Sequence, residues 1–272
     1  MTKYNRSKIE QFQATVRGFY RQHARAMPWR QAGHDGRYDA YAVLVSEVML
    51  QQTQVARVIP KYEQFMKRFP NISSLATADL GDVLTVWSGL GYNRRAKYLH
   101  KAAGTLQNIQ QPWTVDILIA CSGIGPNTAT AAVIYSYDSP GVFIETNIRT
   151  VYIHHFFNDT AGVTDKEILE LVKLTLPDTD MRHWYYALMD YGAHLKSTVG
   201  NVSARSKSYT KQSAFIGSRR QIRGQILKLL QKGPITLPQL TVHIDDERTV
   251  SIVDELMSEK LIHANNGKYF LG

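Results

Sequence analysis

The 272-residue sequence holds a single cysteine, Cys121. It can form no intrachain disulfide and no all-cysteine metal site, and a reducing intracellular compartment is the expected setting. No window approaches the roughly 18 apolar residues of a membrane-spanning helix. The polar, charged amino-terminal stretch contains nothing like the apolar core of a secretory signal. Acidic residues are missing between Tyr191 and Ile244. That stretch carries nine basic residues: Lys196, Arg205, Lys207, Lys211, Arg219, Arg220, Arg223, Lys228 and Lys232. The net charge is +9, so this segment accounts for the whole excess. Basic segments of this kind bind polyanions by releasing counterions, without reading sequence. A solvated linker is the plainer alternative. Hydrophobic residues make up 44% of the chain, enough for one large or two medium domains with real cores.

Up to about residue 200 the chain reads as helical. Apolar residues recur at helical spacing over 9–20, 41–69, 80–90, 96–106, 115–120, 128–135, 168–174 and 184–195. Proline and glycine breaks separate these runs. Residues 196–217 read as an irregular connector rich in serine and lysine. A basic amphipathic helix is expected over 219–232, a short one near 237–242 and a longer one over about 246–259. Asn265-Asn266-Gly267 then joins two short apolar runs, and Asn-Gly in that setting predicts a hairpin. Three helices and a hairpin make a winged-helix-like arrangement. The third helix carries Asp246, Glu247, Asp254, Glu255 and Glu259, too many acids for an ordinary major-groove reader.

Four places carry candidate chemistry. In Ser46-Glu47-Val48-Met49-Leu50-Gln51-Gln52-Thr53-Gln54, Glu47, Gln51 and Gln54 form a polar stripe beside an apolar one. A carboxylic acid at such a border suits proton donation to a leaving base; an ordinary surface glutamate is the bland reading. Gly123-Ile124-Gly125-Pro126 suits a tight turn into a helix whose amides receive a phosphate, or equally a simple helix–helix turn. Glu145, set among apolar residues and followed by Thr146 and Asn147, suits stabilisation of a developing sugar cation. The alternative is a helix start capped by Thr146 or Asn147. Gly89-Leu90-Gly91-Tyr92-Asn93-Arg94-Arg95 offers a turn with an aromatic tip and two cations, which suits a wedge entering a base stack or a core tyrosine beside solvated arginines. His154, His155 and His183 have no neighbouring set of metal ligands, so no metal is expected.

Together these residues resemble the adenine DNA glycosylases, the MutY-like group of the helix-hairpin-helix glycosylase superfamily. The resemblance runs from Met27-Pro28-Trp29-Arg30 through 46–54, Val58-Ile59-Pro60, 87–95, Leu99-His100, the glycine hairpin and 145–151, to Leu188-Met189-Asp190-Tyr191-Gly192-Ala193. It implies a mainly α helix-hairpin-helix glycosylase fold, two helical subdomains flanking a DNA-binding cleft, over residues 1–195. A six-helix barrel would span about 31–133, with the second subdomain built from 1–30 and 134–195. The basic connector over 196–217 and the winged-helix-like domain over 218–272 would follow. The resemblance makes Glu47 the acid that protonates adenine N7, with Glu145 in the place of the family's aspartate and Asn147 matching its asparagine. Trp29, Arg30 and Asn127 would belong to the base pocket. Gln51, Gln52, Thr53, Leu90, Tyr92 and Arg94 would contact DNA, along with Gly123, Gly125, Lys196, Lys207 and Lys211.

Four departures shape the expected function. Glu145 is one methylene longer than aspartate. Asn127 stands where bifunctional relatives carry lysine, so no Schiff base forms and strand cleavage is not expected. The family's four cysteines are absent, which excludes an iron–sulfur cluster and leaves no cofactor. The family's 8-oxoguanine-recognising domain gives way to the winged-helix-like tail. The expected activity is monofunctional removal of adenine mispaired with 8-oxoguanine or guanine, by a monomer acting on double-stranded DNA in a bacterial-type cytoplasm. The alternatives are a glycosylase of the same fold acting on mismatched thymine or a damaged purine, and a catalytically inactive lesion sensor.

Overall fold

The structure, a computed structural model, describes residues 5–158, 160–211 and 214–272. Helix α1 (Arg6–His23) starts where the Asn5 side chain accepts from the Lys8 amide at 3.0 Å. A 3₁₀ turn over Pro28–Arg30 precedes α2 (Ala40–Leu50) and α3 (Val55–Arg68). Then come α4 (Ile72–Ala76), α5 (Leu80–Trp87), α6 (Arg94–Leu106), α7 (Val115–Ile119) and α8 (Pro126–Tyr137). Next are α9 (Thr146–Phe156), α10 (Asp165–Thr175), α11 (Met181–Thr198) and a 3₁₀ turn over Val202–Arg205. The chain closes with α12 (Arg219–Leu230), β1 (Ile235–Thr236), α13 (Leu237–His243), α14 (Thr249–Ser258), β2 (Ile262–Asn265) and β3 (Lys268–Leu271).

Two compact units emerge, one comprising Met1–Val43 and Gly125–Lys211, the other Leu44–Ile124 and Gln212–Gly272. The C-terminal segment thus groups with the middle of the chain. Residues 212–213 of the expected connector lie outside the described residues.

In the first unit α9 and α11 pack along each other, with α1 across them. Phe12 of α1 sits among Tyr152, Phe156 and Trp184, with ring centroids 4.9–6.0 Å away. Past α11 the chain is held by buried Val202, Ser203 and Ser206 and by an isolated bridge between Val163 and Ser206. The Lys207 amide donates to Val163 O at 2.8 Å, which finishes the bridge.

In the second unit Val58, Tyr62 and Phe65 of α3, Leu84 and Trp87 of α5 and Leu99 and Leu106 of α6 are buried. The apolar run over 41–69 is two helices, because Gln52 takes a left-handed φ of 54° and ends the first. The C-terminal strands order β1-β3-β2, all antiparallel. Asn265 pairs with Lys268, and Asn266 (φ 47°) with Gly267 (φ 72°) makes the expected two-residue turn.

Candidate active site and nucleic-acid interface

The proposed acid, Glu47, is half-buried on α2 in the second unit, with Ser46, Val48 and Met49 buried beside it. The end of α2 exposes carbonyls that no further helical turn satisfies. Arg95, 8% exposed at the start of α6, satisfies them. Its Nη1 donates to the carbonyls of Val48 at 2.8 Å, Met49 at 2.9 Å and Gln51 at 2.6 Å. Its Nη2 donates to Thr53 Oγ1 at 3.0 Å and to the carbonyls of Leu90 and Gly91 at 3.2 Å each. One guanidinium therefore joins the Gln51–Thr53 turn to the Leu90–Tyr92 turn. Burial pushes its pKa down to about 10, and it remains charged at neutral pH.

Both turns hold non-glycine residues in left-handed backbone, Gln52 at φ 54° and Tyr92 at φ 48°. Such strain persists only where the surroundings over-determine it, and it concentrates at functional positions. Leu90 is buried, while Gln51, Thr53 and Tyr92 are half-buried and Gln52 is exposed. Arg94 projects outward and pairs with Glu259 at 2.5 Å.

At the glycine hairpin Gly123 has φ 84°, and the Tyr98 ring fills the space a Cβ would need. Both constraints require glycine there. Gly125 is the N-cap of α8, with Pro126 at its first position. Amides at such a start are suited to a phosphate.

In the first unit Glu145 is itself the N-cap of α9, in place of the expected Thr146 or Asn147. Its Oε1 accepts from the Asn147 amide at 2.8 Å, and its carbonyl accepts from the Arg149 amide at 2.9 Å. Burial pushes the Glu145 carboxyl above the usual carboxylate range, opposed by the amides of Asn147, Ile148 and Thr146 and by the Arg149 charge. The Asn127 side chain donates to Ile144 O at 2.8 Å, tying the start of α8 to the segment leading into Glu145. Gly192 lies so close to the Asn147 carbonyl that a Cβ would overlap it.

Trp29 is buried. The Arg30 side chain, 8% exposed, is paired with Asp190 at 2.9 Å and lies 4.2 Å over the Tyr186 ring, while Arg25 donates to the other Asp190 oxygen. This pair braces the 3₁₀ turn against α11. Lys196, Lys207 and Lys211 are exposed. Among the described residues no three His, Cys, Asp or Glu side chains converge as metal ligands.

Residues 45–177 match the family described as HhH-GPD superfamily base excision DNA repair protein. The chain is 33% identical over 242 residues to the adenine DNA glycosylase of Mycolicibacterium smegmatis, covering 81% of each. The chain belongs to the adenine DNA glycosylase family. A Mycobacterium tuberculosis adenine DNA glycosylase is 28% identical over 270 residues, 90% of this chain and 88% of that one. Among solved structures, a thermostable thymine-DNA glycosylase aligns at TM-score 0.59 and 21% identity over 69% of this chain and 87% of that one. Endonuclease III in a non-covalent DNA complex aligns at TM-score 0.54 and 14% identity, over 72% and 87%. The fold is that of the helix-hairpin-helix glycosylases.

For a member of the adenine DNA glycosylase family, the residue that sequence reasoning missed is Arg95. The signal was present. Arg95, Ala96, Leu99, Ala102, Ala103 and Leu106 form the buried face of α6, and a charged residue on an apolar stripe implies buried partners. Arg220, whose Nη1 donates to the Tyr92 hydroxyl at 2.7 Å, had no such signal, since 128 residues separate the two.

Proposed function

We propose that this protein is a monofunctional DNA N-glycosylase of base excision repair that removes adenine mispaired with 8-oxoguanine or guanine, acting as a monomer on double-stranded DNA inside the cell. The observation that carries this reading is the Glu47–Gln54 segment, on a half-buried helix end clamped by Arg95, in a chain 33% identical to an adenine DNA glycosylase over 81% of its length. In this reading residues 1–195 are the glycosylase part, 196–217 the basic connector and 218–272 a winged-helix-like domain.

The proposed chemistry balances as follows. Glu47 donates its proton to adenine N7; the C1′–N9 bond breaks and the neutral base leaves with the bonding pair. The Glu145 carboxylate stabilises the positive charge left on the sugar, and the Asn147 backbone amide holds that carboxylate by donating to its Oε1. Water adds to C1′, its surplus proton returns to Glu47, and an abasic site remains. Flipping adenine from the stack costs a few kcal/mol. Tyr92 and Leu90 as wedge, Gln51, Gln52 and Thr53 on the vacated space, and Trp29 with Arg30 and Asn127 at the base pocket offset it. Phosphates would lie against Gly123, Gly125, Arg94, Lys196, Lys207 and Lys211. Asn127 offers an amide, not an amine, and its nitrogen donates to Ile144 O, so water rather than an enzyme amine resolves the reaction without strand cleavage.

The deciding experiment is single-turnover excision with enzyme in excess. The panel holds adenine opposite 8-oxoguanine, guanine and cytosine, together with thymine–guanine and damaged-purine duplexes. Adenine release opposite the purines is expected, with Glu47→Gln binding DNA but releasing at least 100-fold more slowly, since a positioned acid contributes about 10²–10⁴-fold. Release of thymine or a damaged purine instead would move the specificity. Tight binding with no release from any duplex would make the protein a lesion sensor.

A further inference from the structure

Two of the acids that made the third helix a poor groove reader, Glu255 of α14 and Glu259 at its C-cap, are occupied inside the second unit. Glu255 pairs with Arg219 at 2.5 Å, and Arg223 reaches both Glu255 and Glu259. Glu259 also takes Arg94 at 2.5 Å, and its carbonyl accepts from Lys97 Nζ. Burial raises the Glu259 carboxyl, but Arg94 and Arg223 outweigh that and hold it below the usual carboxylate range. At the other edge, Gly81 lies against the Leu271 carbonyl with no room to spare, and Gln231 Nε2 donates to Leu84 O at 3.5 Å. The C-terminal segment is therefore seated on α5 and α6, and α14 faces that seat.

That seating brings Arg220 of α12 to Tyr92. The Arg220 guanidinium donates to the tyrosine hydroxyl at 2.7 Å and lies 5.8 Å from the ring centroid. Arg95 lies 5.4 Å from the same centroid. The ring thus meets one cation that is locked into the α2 carbonyls and a second that belongs to the C-terminal segment, while left-handed backbone fixes where its Cβ points.

We propose that Arg220 is a positioning residue for Tyr92, through which the C-terminal segment sets the base accepted opposite the target adenine. The proposal rests on the reading above, in which Tyr92 is a wedge in the base stack, and takes the wedged ring to lie beside the base opposite the adenine. A ring tethered at its hydroxyl presents one face at one angle, so a purine and a pyrimidine opposite give different stacking. An untethered ring adapts to either, and discrimination falls. Arg220 acts on specificity without touching the reacting sugar.

Competition binding with the full chain tests this independently of chemistry. The probes are duplexes carrying 2′-fluoro-2′-deoxyadenosine, which resists excision, opposite 8-oxoguanine, guanine or cytosine. The readout is the ratio of Kd between cytosine and purine partners. Arg220→Ala is expected to lower that ratio roughly tenfold, equivalent to about 1.4 kcal/mol. Tyr92→Phe, which removes only the hydroxyl, should lower it comparably. The combined variant should lower it no further than Arg220→Ala alone, because Arg220→Ala already breaks the hydrogen bond that Tyr92→Phe removes. Arg219→Ala, which opens the neighbouring pair to Glu255, should preserve the ratio. An unchanged ratio in Arg220→Ala, additive losses in the combined variant, or an equal loss in Arg219→Ala would overturn the proposal. So would a wild-type protein without preference. Wild-type preference without release of ordinary adenine in a parallel excision assay would instead overturn the glycosylase reading and leave the role of Arg220 standing.

Discussion

Glu145 combines two demands on one carboxyl. As N-cap of α9 it accepts from the Asn147 amide, which favours the ionised form, while burial favours the protonated one and wins. An acid whose folded pKa lies above its unfolded value contributes stability that is fully present below the unfolded pKa. That contribution is lost as pH rises through the folded pKa. Glu145→Gln keeps an acceptor for the cap and removes the titration. Urea unfolding should therefore show little difference from wild type near pH 4 and a more stable variant near pH 8. Excision should be lost in the same variant, because no anion remains to face the sugar cation. A variant less stable at pH 8 than at pH 4, relative to wild type, would show that the cap needs the charge more than burial opposes it. In the wild type the same shift places the rising limb of the pH–rate profile above the usual carboxylate range.

Between residue and molecule, the element that organises the candidate interface is the pair of turns joined by Arg95. Six acceptors, five of them backbone carbonyls, converge on its two terminal nitrogens. Arg95→Met keeps much of the stem but leaves those carbonyls without their donor. A loss of about 2–4 kcal/mol in unfolding free energy is expected, given the cost of stranding buried polar groups. A loss under about 1 kcal/mol would mean that water replaces the guanidinium and that the turns hold themselves. This clamp also marks where legibility ended. The amphipathic α1, α6 and α12 and the Asn266-Gly267 hairpin follow from local pattern, and the structure has them within a few residues of expectation. Helix α9 follows only at its start, where the sequence offers Thr146 or Asn147 as a cap. Ile148, Thr150, Val151, Tyr152, Ile153 and Phe156 are all buried, which blurs the helical period beyond that start. The break at Gln52 is likewise invisible locally, since glutamine carries no turn preference and the carbonyls released there are satisfied by a residue 44 positions away. The glutamates themselves, Glu47 and Glu145, were legible from sequence because acids within apolar runs are rare. The partner that caps Asn147 was not, because sequence favoured Thr146 or Asn147 as the cap.

At the scale of the whole chain the excess charge lies between Tyr191 and Ile244, but its nine cations do not play one part. Arg219 and Arg223 are drawn into the ion pairs of α14, and Arg220 is held at Tyr92. Lys196, Lys207 and Lys211 are exposed. A basic segment that merely aids solubility would leave DNA affinity indifferent to which lysines are removed. A segment that lies on phosphates gives each contact a slope of about 0.9 in log affinity against log salt. Replacing Lys196, Lys207 and Lys211 together by alanine should therefore flatten that slope by about two to three units, equally for matched and mispaired duplexes. Replacing Arg219 and Arg223 together should change the slope by less than about one unit while lowering the stability of the C-terminal segment, since those cations already have carboxylate partners. Equal slopes in both sets would return the segment to the solvated-linker reading. A flattening confined to the mispaired duplex would mean that these lysines act only after the base has left the stack, which backbone contacts to an undistorted duplex do not require.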